Sequence, residues 1–360
     1  MSTPETIEDA TIQRVLARYP VVAESWGPKI PLREAPSGLI NRTLLVGERY
    51  VLQRVNPIFG PKVNDDIHAL TSHLSHAGLA VPLLIRNDVG ALWTEDEGVW
   101  RLMSYVPGRT IDKLAHPAEA RSAGALVARF HTVLLDARYR FQFSRGPFHD
   151  TPTHLDGLRD ALTHHRDHRL YEEVAPLADE ILALAEALAT PTLPERICHG
   201  DLKVSNIRFA AMGLEAEGLI DLDTMSYGTL DAELGDALRS WCNTAREDDP
   251  SPCFSLPLFR AAMEGYLHGS ELWLTAAERA SIPAGIRRIV LELAARFAAD
   301  ALNESYFGFD LNVAPTRGDH NLIRAKNQLC LARIVAEKQG LMGDTIGEIA
   351  RSLTGTPAPL

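Results

Sequence analysis

Cys198-His199-Gly200-Asp201-Leu202-Lys203-Val204-Ser205-Asn206, followed by a β-type segment and then Leu219-Ile220-Asp221-Leu222-Asp223, is the stretch on which the reading of this chain turns. Asp201, Asn206 and Asp221 carry the oxygen ligands and basic character that phosphoryl transfer needs. One carboxylate must orient the attacking hydroxyl and accept its proton. An Asn carbonyl oxygen and a second carboxylate must hold Mg²⁺ on a triphosphate, because Mg²⁺ prefers hard oxygen ligands. The D-x-x-x-x-N spacing, with a second Asp beyond one more strand, matches the kinase template. Asp201 would then be the base, and Asn206 and Asp221 the metal ligands. The His-Gly-Asp triplet alone recurs by chance, and an Asp in a loop is commonly a turn or helix cap. The joint pattern and its context carry the reading.

Working outward, the upstream segments alternate like strands. Thr43 to Val46 and Tyr50 to Val55 flank Gly47-Glu48-Arg49, a hairpin turn. Asn64 to His76 places Ile67, Leu70 and Leu74 on one helical face. Val81 to Ile85, Ala91 to Thr94 and Val99 to Val106 read as further strands, and Thr6 to Tyr19 as a short helix before them. After Pro107-Gly108 the pattern becomes helical: Ala118 to Leu135, Tyr171 to Leu188, Ala232 to Asn243, Leu256 to His268, Ala284 to Leu302 and Asn321 to Lys338. Two short strands interrupt it, Ile207 to Phe209 and Gly218 to Leu222. The expectation is an α+β fold, with a β-rich lobe over residues 1–105 and a larger helical lobe over 106–360. Ligands commonly bind in clefts between such lobes.

Composition narrows the class. Of 360 residues, 46% are hydrophobic and 23% charged, an ordinary globular balance. The formal net charge of −11 disfavours a nucleic-acid partner. It does not oppose an anionic small ligand, which answers to the local field. No apolar run approaches the ~18 residues of a membrane helix. The opening MSTPETIEDATIQRVL puts acids where a secretory leader carries bases. Cys198, Cys242, Cys253 and Cys330 are scattered with no C-x-x-C pair, which argues against a disulfide framework or a structural zinc site. A cytoplasmic enzyme, with no membrane or nucleic-acid partner, is expected.

The segment HGDLKVSN…LIDLDT resembles the aminoglycoside phosphotransferase and choline kinase superfamily. That resemblance implies a bilobal protein-kinase-like fold using ATP and Mg²⁺. Arg101-Leu102-Met103-Ser104-Tyr105-Val106-Pro107-Gly108 resembles the family's hinge. Adenine would then meet the backbone of Ser104 and Val106, with Met103 behind it. Ser37-Gly38-Leu39-Ile40-Asn41-Arg42-Thr43 falls at the family's phosphate-covering turn, where backbone N–H groups are helped by Ser37, Asn41 or Thr43. A narrower resemblance, to the N-acetylhexosamine 1-kinase branch, rests on Gly38 to Thr43, Tyr50 to Asn56, Ile220 to Thr224, Leu234-Gly235-Asp236-Ala237-Leu238-Arg239, Ala295-Arg296-Phe297, Tyr306-Phe307 and His320-Asn321-Leu322. It implies an amino-sugar acceptor phosphorylated at the anomeric hydroxyl.

Departures from the family pattern matter. The phosphate-binding Lys of the third strand is missing; Gln53 stands there and Arg54 follows. Successive strand side chains point to opposite faces, so if Gln53 faces the ligand, Arg54 faces away unless a bulge re-aims it. The partner Glu of the following helix is also absent, with Asn64, Asp65 and Asp66 nearest. Leu39 stands where the branch often has a sugar-touching His. Lys203 would steady the transferring phosphoryl charge or simply face solvent. Asp223 would join the metal shell, hold substrate or cap a turn. His199 is expected to hydrogen-bond backbone, and Asp236 to support the catalytic loop. Arg296, with Tyr306, is the sugar-binding candidate; its helical neighbours Glu292 and Asp300 equally suit a salt-bridged face. His164, His165 and His168 read as a solvated helix rather than a zinc site. Two alternatives remain: an aminoglycoside- or choline-type kinase, and a nucleotide-binding pseudokinase or regulator.

Overall fold

The computed structural model describes residues 4–27, 29–35, 41–143, 146 and 148–354. The chain divides into two compact units. One comprises Met1–Gly108, Asp136–Arg145 and Gly218–Asp223; the other comprises Arg109–Leu135, Gly146–Glu217 and Thr224–Leu360. The division falls three residues beyond the sequence boundary at 105, and two later segments return to the first unit.

The first unit contains α1 (Pro4–Ala17), α2 (Pro20–Trp26), β1 (Leu32–Glu34), β2 (Arg42–Val46), β3 (Tyr50–Val55), α3 (Val63–His76), β4 (Leu84–Ile85), β5 (Thr94–Glu95) and β6 (Val99–Ser104). Its strands form one antiparallel sheet in the order β1-β2-β3-β6-β4, with β5 also paired to β6. Period-2 alternation separates two faces. Leu44, Val46, Tyr50, Leu52, Trp100 and Leu102 form a core with Ile12, Val15, Leu16, Tyr19 and Val22 of the two N-terminal helices. Thr43, Gln53 and Arg101 are left to share the other face, in register across β2, β3 and β6. The returning segment 136–145 is tied by Asp66 of α3, which accepts from Tyr139 Oη (2.8 Å) and from the backbone N–H groups of Gln142 (2.7 Å) and Phe143 (2.9 Å).

The second unit holds α4 (Pro117–Leu134), α5 (Thr151–His164), α6 (Tyr171–Glu186), β7 (Glu195–Cys198) and β8 (Ile207–Phe209). Its chain then crosses to the first unit within β9 (Ala216–Leu219). After its return come β10 (Ser226–Thr229), α7 (Leu230–Cys242), α8 (Leu256–Ser270), α9 (Ala276–Asn303) and α10 (Arg317–Thr354). Helix α9 begins eight residues before the expected Ala284. A capping box sets its start: Glu278 N–H donates to Thr275 Oγ1 (3.1 Å) and Thr275 N–H to Glu278 Oε2 (2.8 Å). Pro283 is carried inside the helix. Ile282, Ile286, Ile289, Val290 and Leu293 of α9 are buried.

Candidate active site

The loop between β7 and β8 is built around Gly200. Its φ is +81°, and a Cβ there would lie 2.6 Å from the Thr224 carbonyl oxygen, so only glycine fits. Buried Glu233, in the first turn of α7, accepts from His199 N (2.7 Å) and Gly200 N (2.9 Å). It also meets His131 Nε2 at 3.3 Å, and His131 Nδ1 lies 3.0 Å from Tyr266 Oη. Burial opposes ionisation of Glu233. The His131 hydrogen bond and charge, His199 and the Gly200 N–H outweigh it and hold the carboxyl below its ordinary range. Thr224 Oγ1 donates to the His199 carbonyl (2.7 Å), and Trp241 Nε1 to that of Leu202 (2.8 Å). Asp236, expected to support this loop, instead pairs with Arg239 (2.7 Å); Glu233 does the supporting.

Asp201 is fixed by one carboxylate oxygen. Its Oδ2 accepts from Lys203 Nζ (2.6 Å) and Asn206 Nδ2 (3.0 Å), and that amide also donates to the Asp201 carbonyl (2.8 Å). Among the described residues Oδ1 has no partner. The same bonds turn the Asn206 amide nitrogen toward Asp201, so Asn206 Oδ1 points elsewhere as a hard oxygen donor. An amide oxygen of this kind is a hard ligand type, as is, in the first unit, the carboxylate of Asp221. Asp221 has a φ of 65°, the left-handed region that Asp tolerates better than most residues and that often marks a functional constraint.

In the first unit, a polar network occupies the sheet face opposite the core. Arg101 Nη1 and Nη2 donate to Asp223 Oδ1 (2.6 Å) and Oδ2 (2.7 Å). Asp223 Oδ2 also accepts from Asn41 Nδ2 (2.8 Å). Both oxygens of Asp223, the residue expected to join a metal shell, hold substrate or cap a turn, are therefore engaged by protein donors. Asn41, expected over phosphates, is buried between Asp223 and the Asn56 N–H (2.8 Å). Gln53 Nε2 donates to Thr43 Oγ1 (3.1 Å). Arg54 is turned to the opposite face: its guanidinium donates to the Glu97 carbonyl and lies 5.9 Å from the Trp100 ring. Ser104 engages Leu83 through both its N–H (2.8 Å) and its Oγ (2.9 Å), leaving the carbonyl as its remaining backbone group. Met103 and Val106 are buried. Ser37 lies outside the described residues.

In the second unit, Arg296 is wedged among rings. Its guanidinium carbon lies 5.1 Å from the Phe148 centroid, 5.7 Å from Tyr306 and 5.4 Å from Phe307. Among the described residues it has no hydrogen-bond or ion-pair partner. The alternative of a salt-bridged face with Glu292 and Asp300 is not seen among the described residues. Glu292 is held by His149 Nδ1 (2.9 Å) and Thr151 Oγ1 (2.6 Å). Asp300 accepts from the N–H groups of Tyr306 and Phe307 (both 2.8 Å) and from Asn321 Nδ2 (2.8 Å), which shapes the loop that presents the rings. His164 closes α5 with its Nδ1 2.8 Å from the Asp160 carbonyl, and His168 lies 3.3 Å from Glu304.

Sequence reasoning missed Arg101 and Glu233 as site residues. Each has a signal: a lone charge between Trp100 and Leu102 in an apolar strand, and an acid on the apolar face of α7. Neither signal names the partner, because each partner comes from a distant segment.

The model of the phosphotransferase enzyme family (APH) matches residues 31–279. Among solved structures, an aminoglycoside phosphotransferase from Alicyclobacillus acidocaldarius is 15% identical with a TM-score of 0.57, over 91% of this chain and 96% of that one. A choline/ethanolamine kinase family protein from Mesorhizobium loti is 17% identical with a TM-score of 0.57, over 91% and 99%. An amicoumacin kinase in complex with AMP-PNP, Ca²⁺ and Ami is 16% identical with a TM-score of 0.57, over 89% and 96%. These likenesses show the α+β, kinase-like fold.

Proposed function

The chain belongs to the phosphotransferase enzyme family (APH), small-molecule phosphotransferases that act on hydroxyl groups, and from that premise we propose that it transfers the γ-phosphoryl group of ATP, with Mg²⁺, to a hydroxyl of an amino sugar or related sugar. Asp201 orients the acceptor hydroxyl and takes its proton at Oδ1, the oxygen without a partner among the described residues. Lys203, on the other oxygen of Asp201, steadies charge developing on the transferred group. Asn206 and Asp221 are the residues that would hold Mg²⁺, which supplies charge neutralisation on the phosphates when bound. The hinge at Ser104 and Val106 receives adenine. ATP as donor and the four unpaired cysteines support a cytoplasmic setting.

Arg296 carries the acceptor reading. A half-buried guanidinium that, among the described residues, is met only by ring faces retains its N–H donors for oxygen-rich ligands. A choline-type acceptor would need those ring faces for its own ammonium group. Against the pseudokinase alternative stands Asp201, since nucleotide binding alone has no use for a base. The test is ATP consumption with product mapping against GlcNAc, GalNAc, other sugars, choline and aminoglycosides. Turnover is expected with an amino sugar; turnover only with choline or aminoglycosides, or with none, overturns this acceptor. Asp201→Asn should keep nucleotide affinity and lower kcat by ~10²–10⁴-fold. Retained transfer would refute the role of Asp201.

A further inference from the structure

Kinase-type sites set a strand lysine against a helix glutamate, and that ion pair must be in place for phosphoryl transfer. Neither residue exists here. β3 offers Gln53, and the first turn of α3 offers Asn64, Asp65 and Asp66. The hydrogen bonds show where the charge has moved. Arg101 lies directly across from Gln53 on the neighbouring strand and is 2% exposed. Its Nε (3.0 Å) and Nη2 (2.6 Å) donate to Gln53 Oε1, its Nη1 to Asn64 Oδ1 (3.3 Å), and its two terminal nitrogens to Asp223 (2.6 and 2.7 Å). These contacts engage all five N–H donors of a guanidinium. So saturated and buried, Arg101 has no donor left for a phosphate.

Its influence must pass through its neighbours. With Gln53 Oε1 held on the guanidinium, the amide nitrogen is turned outward: one N–H reaches Thr43 Oγ1, and the other has no partner among the described residues. Asp223 lies two residues beyond Asp221, so fixing its side chain pins the left-handed turn that aims Asp221. Asn64 brings in α3, the helix from which a glutamate would otherwise come.

We propose that Arg101 is a positioning residue: the Arg101–Asp223 pair, with Gln53 and Asn64, replaces the lysine–glutamate pair, presents the Gln53 amide as a neutral donor to nucleotide phosphates, and orients Asp221. This rests on the phosphoryl-transfer reading above. The pair fixes geometry without adding free positive charge, which separates it from a phosphate-binding lysine. Lysine cannot reproduce the bidentate fork.

Calorimetric titration separates phosphate effects from base effects. Adenosine, which carries no phosphate, and Mg·AMP-PNP are titrated into the parent, Arg101→Lys and the double variant Arg101→Met/Asp223→Asn. The double variant removes both buried charges together, so neither is left unpaired. Both variants should bind Mg·AMP-PNP about tenfold or more weakly, the size of one charge-assisted hydrogen bond. Adenosine affinity should stay within about twofold. Proportional loss of both ligands means a purely structural role and overturns the proposal, as does no loss of either. A parent that binds Mg·AMP-PNP but transfers to no acceptor defeats the functional reading alone, since the two affinities still test Arg101. A parent that binds neither ligand defeats both.

Discussion

His149 shows how a single buried side chain couples this fold to pH. It is nearly enclosed, with Nδ1 on Glu292 Oε1 at 2.9 Å and Nε2 3.9 Å from Asp236 Oδ1. Burial disfavours its charged form; Glu292 first, then Asp236, outweigh burial and the opposing Arg239, so its pKa lies above the ordinary value. The stability this gives is fully present below the unfolded value of about 6.5 and is lost as pH rises through the folded value. Glu292 and Asp236 are shifted down, so their contributions vanish only on acidification. His154, also facing Glu292, is shifted down, and its opposing slope fades as pH rises past about 6.5. As pH rises above about 6.5, through the raised folded value, resistance to urea should therefore fall, by at most ~1.4 kcal/mol per pH unit for one proton. His149→Gln should flatten that slope. An equal slope in the variant would remove His149 from the account. The sequence hid this cluster, since His149, Asp236 and Glu292 are far apart along the chain. Asp201, Lys203 and Asn206 share one loop, and their spacing was legible for that reason.

At the scale of elements, helices were easier to read than strands because their burial is periodic over many residues. The apolar stripe of α4 and the runs in α7 and α8 were recognisable. Helix α5 was not: Thr151–His164 carries Pro152, His154, Asp156, Arg159 and Asp160, and buries only Leu155, Leu158 and Ala161. β7 and β10 are four residues each, and their pairing of Tyr227 with Ile197 and Gly228 with Arg196 is set by register, which no local pattern encodes. The packing of α4 on α8 makes a sharper point. A Cβ on Gly265 would run into the carbonyl of Arg121, and one on Gly124 into that of Ala262. Alanine in a helix interior is ordinarily favoured over glycine by about 1 kcal/mol. Here the sign should reverse, because the added carbon forces the helices apart in a core that relaxes poorly. Gly265→Ala should lower stability by ~1–3 kcal/mol in chemical denaturation. A stabilised variant would show that the two backbones are not held in close approach.

For the molecule as a whole, the charge balance acts at long range while the site acts locally. The net charge is −11, yet the proposed donor is a polyanion. Several cations that could offset this are matched by acids: Arg14 with Asp96, Arg18 with Asp88, Arg42 with Glu34, Arg101 with Asp223, and Lys203 with Asp201. Such pairs are close to neutral beyond a few ångströms, so an approaching nucleotide meets chiefly the overall negative field. Screening lengths shrink from ~30 Å at 0.01 M salt to ~8 Å at 0.15 M. Added salt should therefore weaken the repulsion and raise the association rate of Mg·nucleotide, the reverse of electrostatic steering by a basic cleft. Stopped-flow association across that salt range measures the sign directly. An association rate that falls with salt would mean an unmatched positive field guides the nucleotide, and the near-neutral pairing inferred from these ion pairs would not describe the protein in solution.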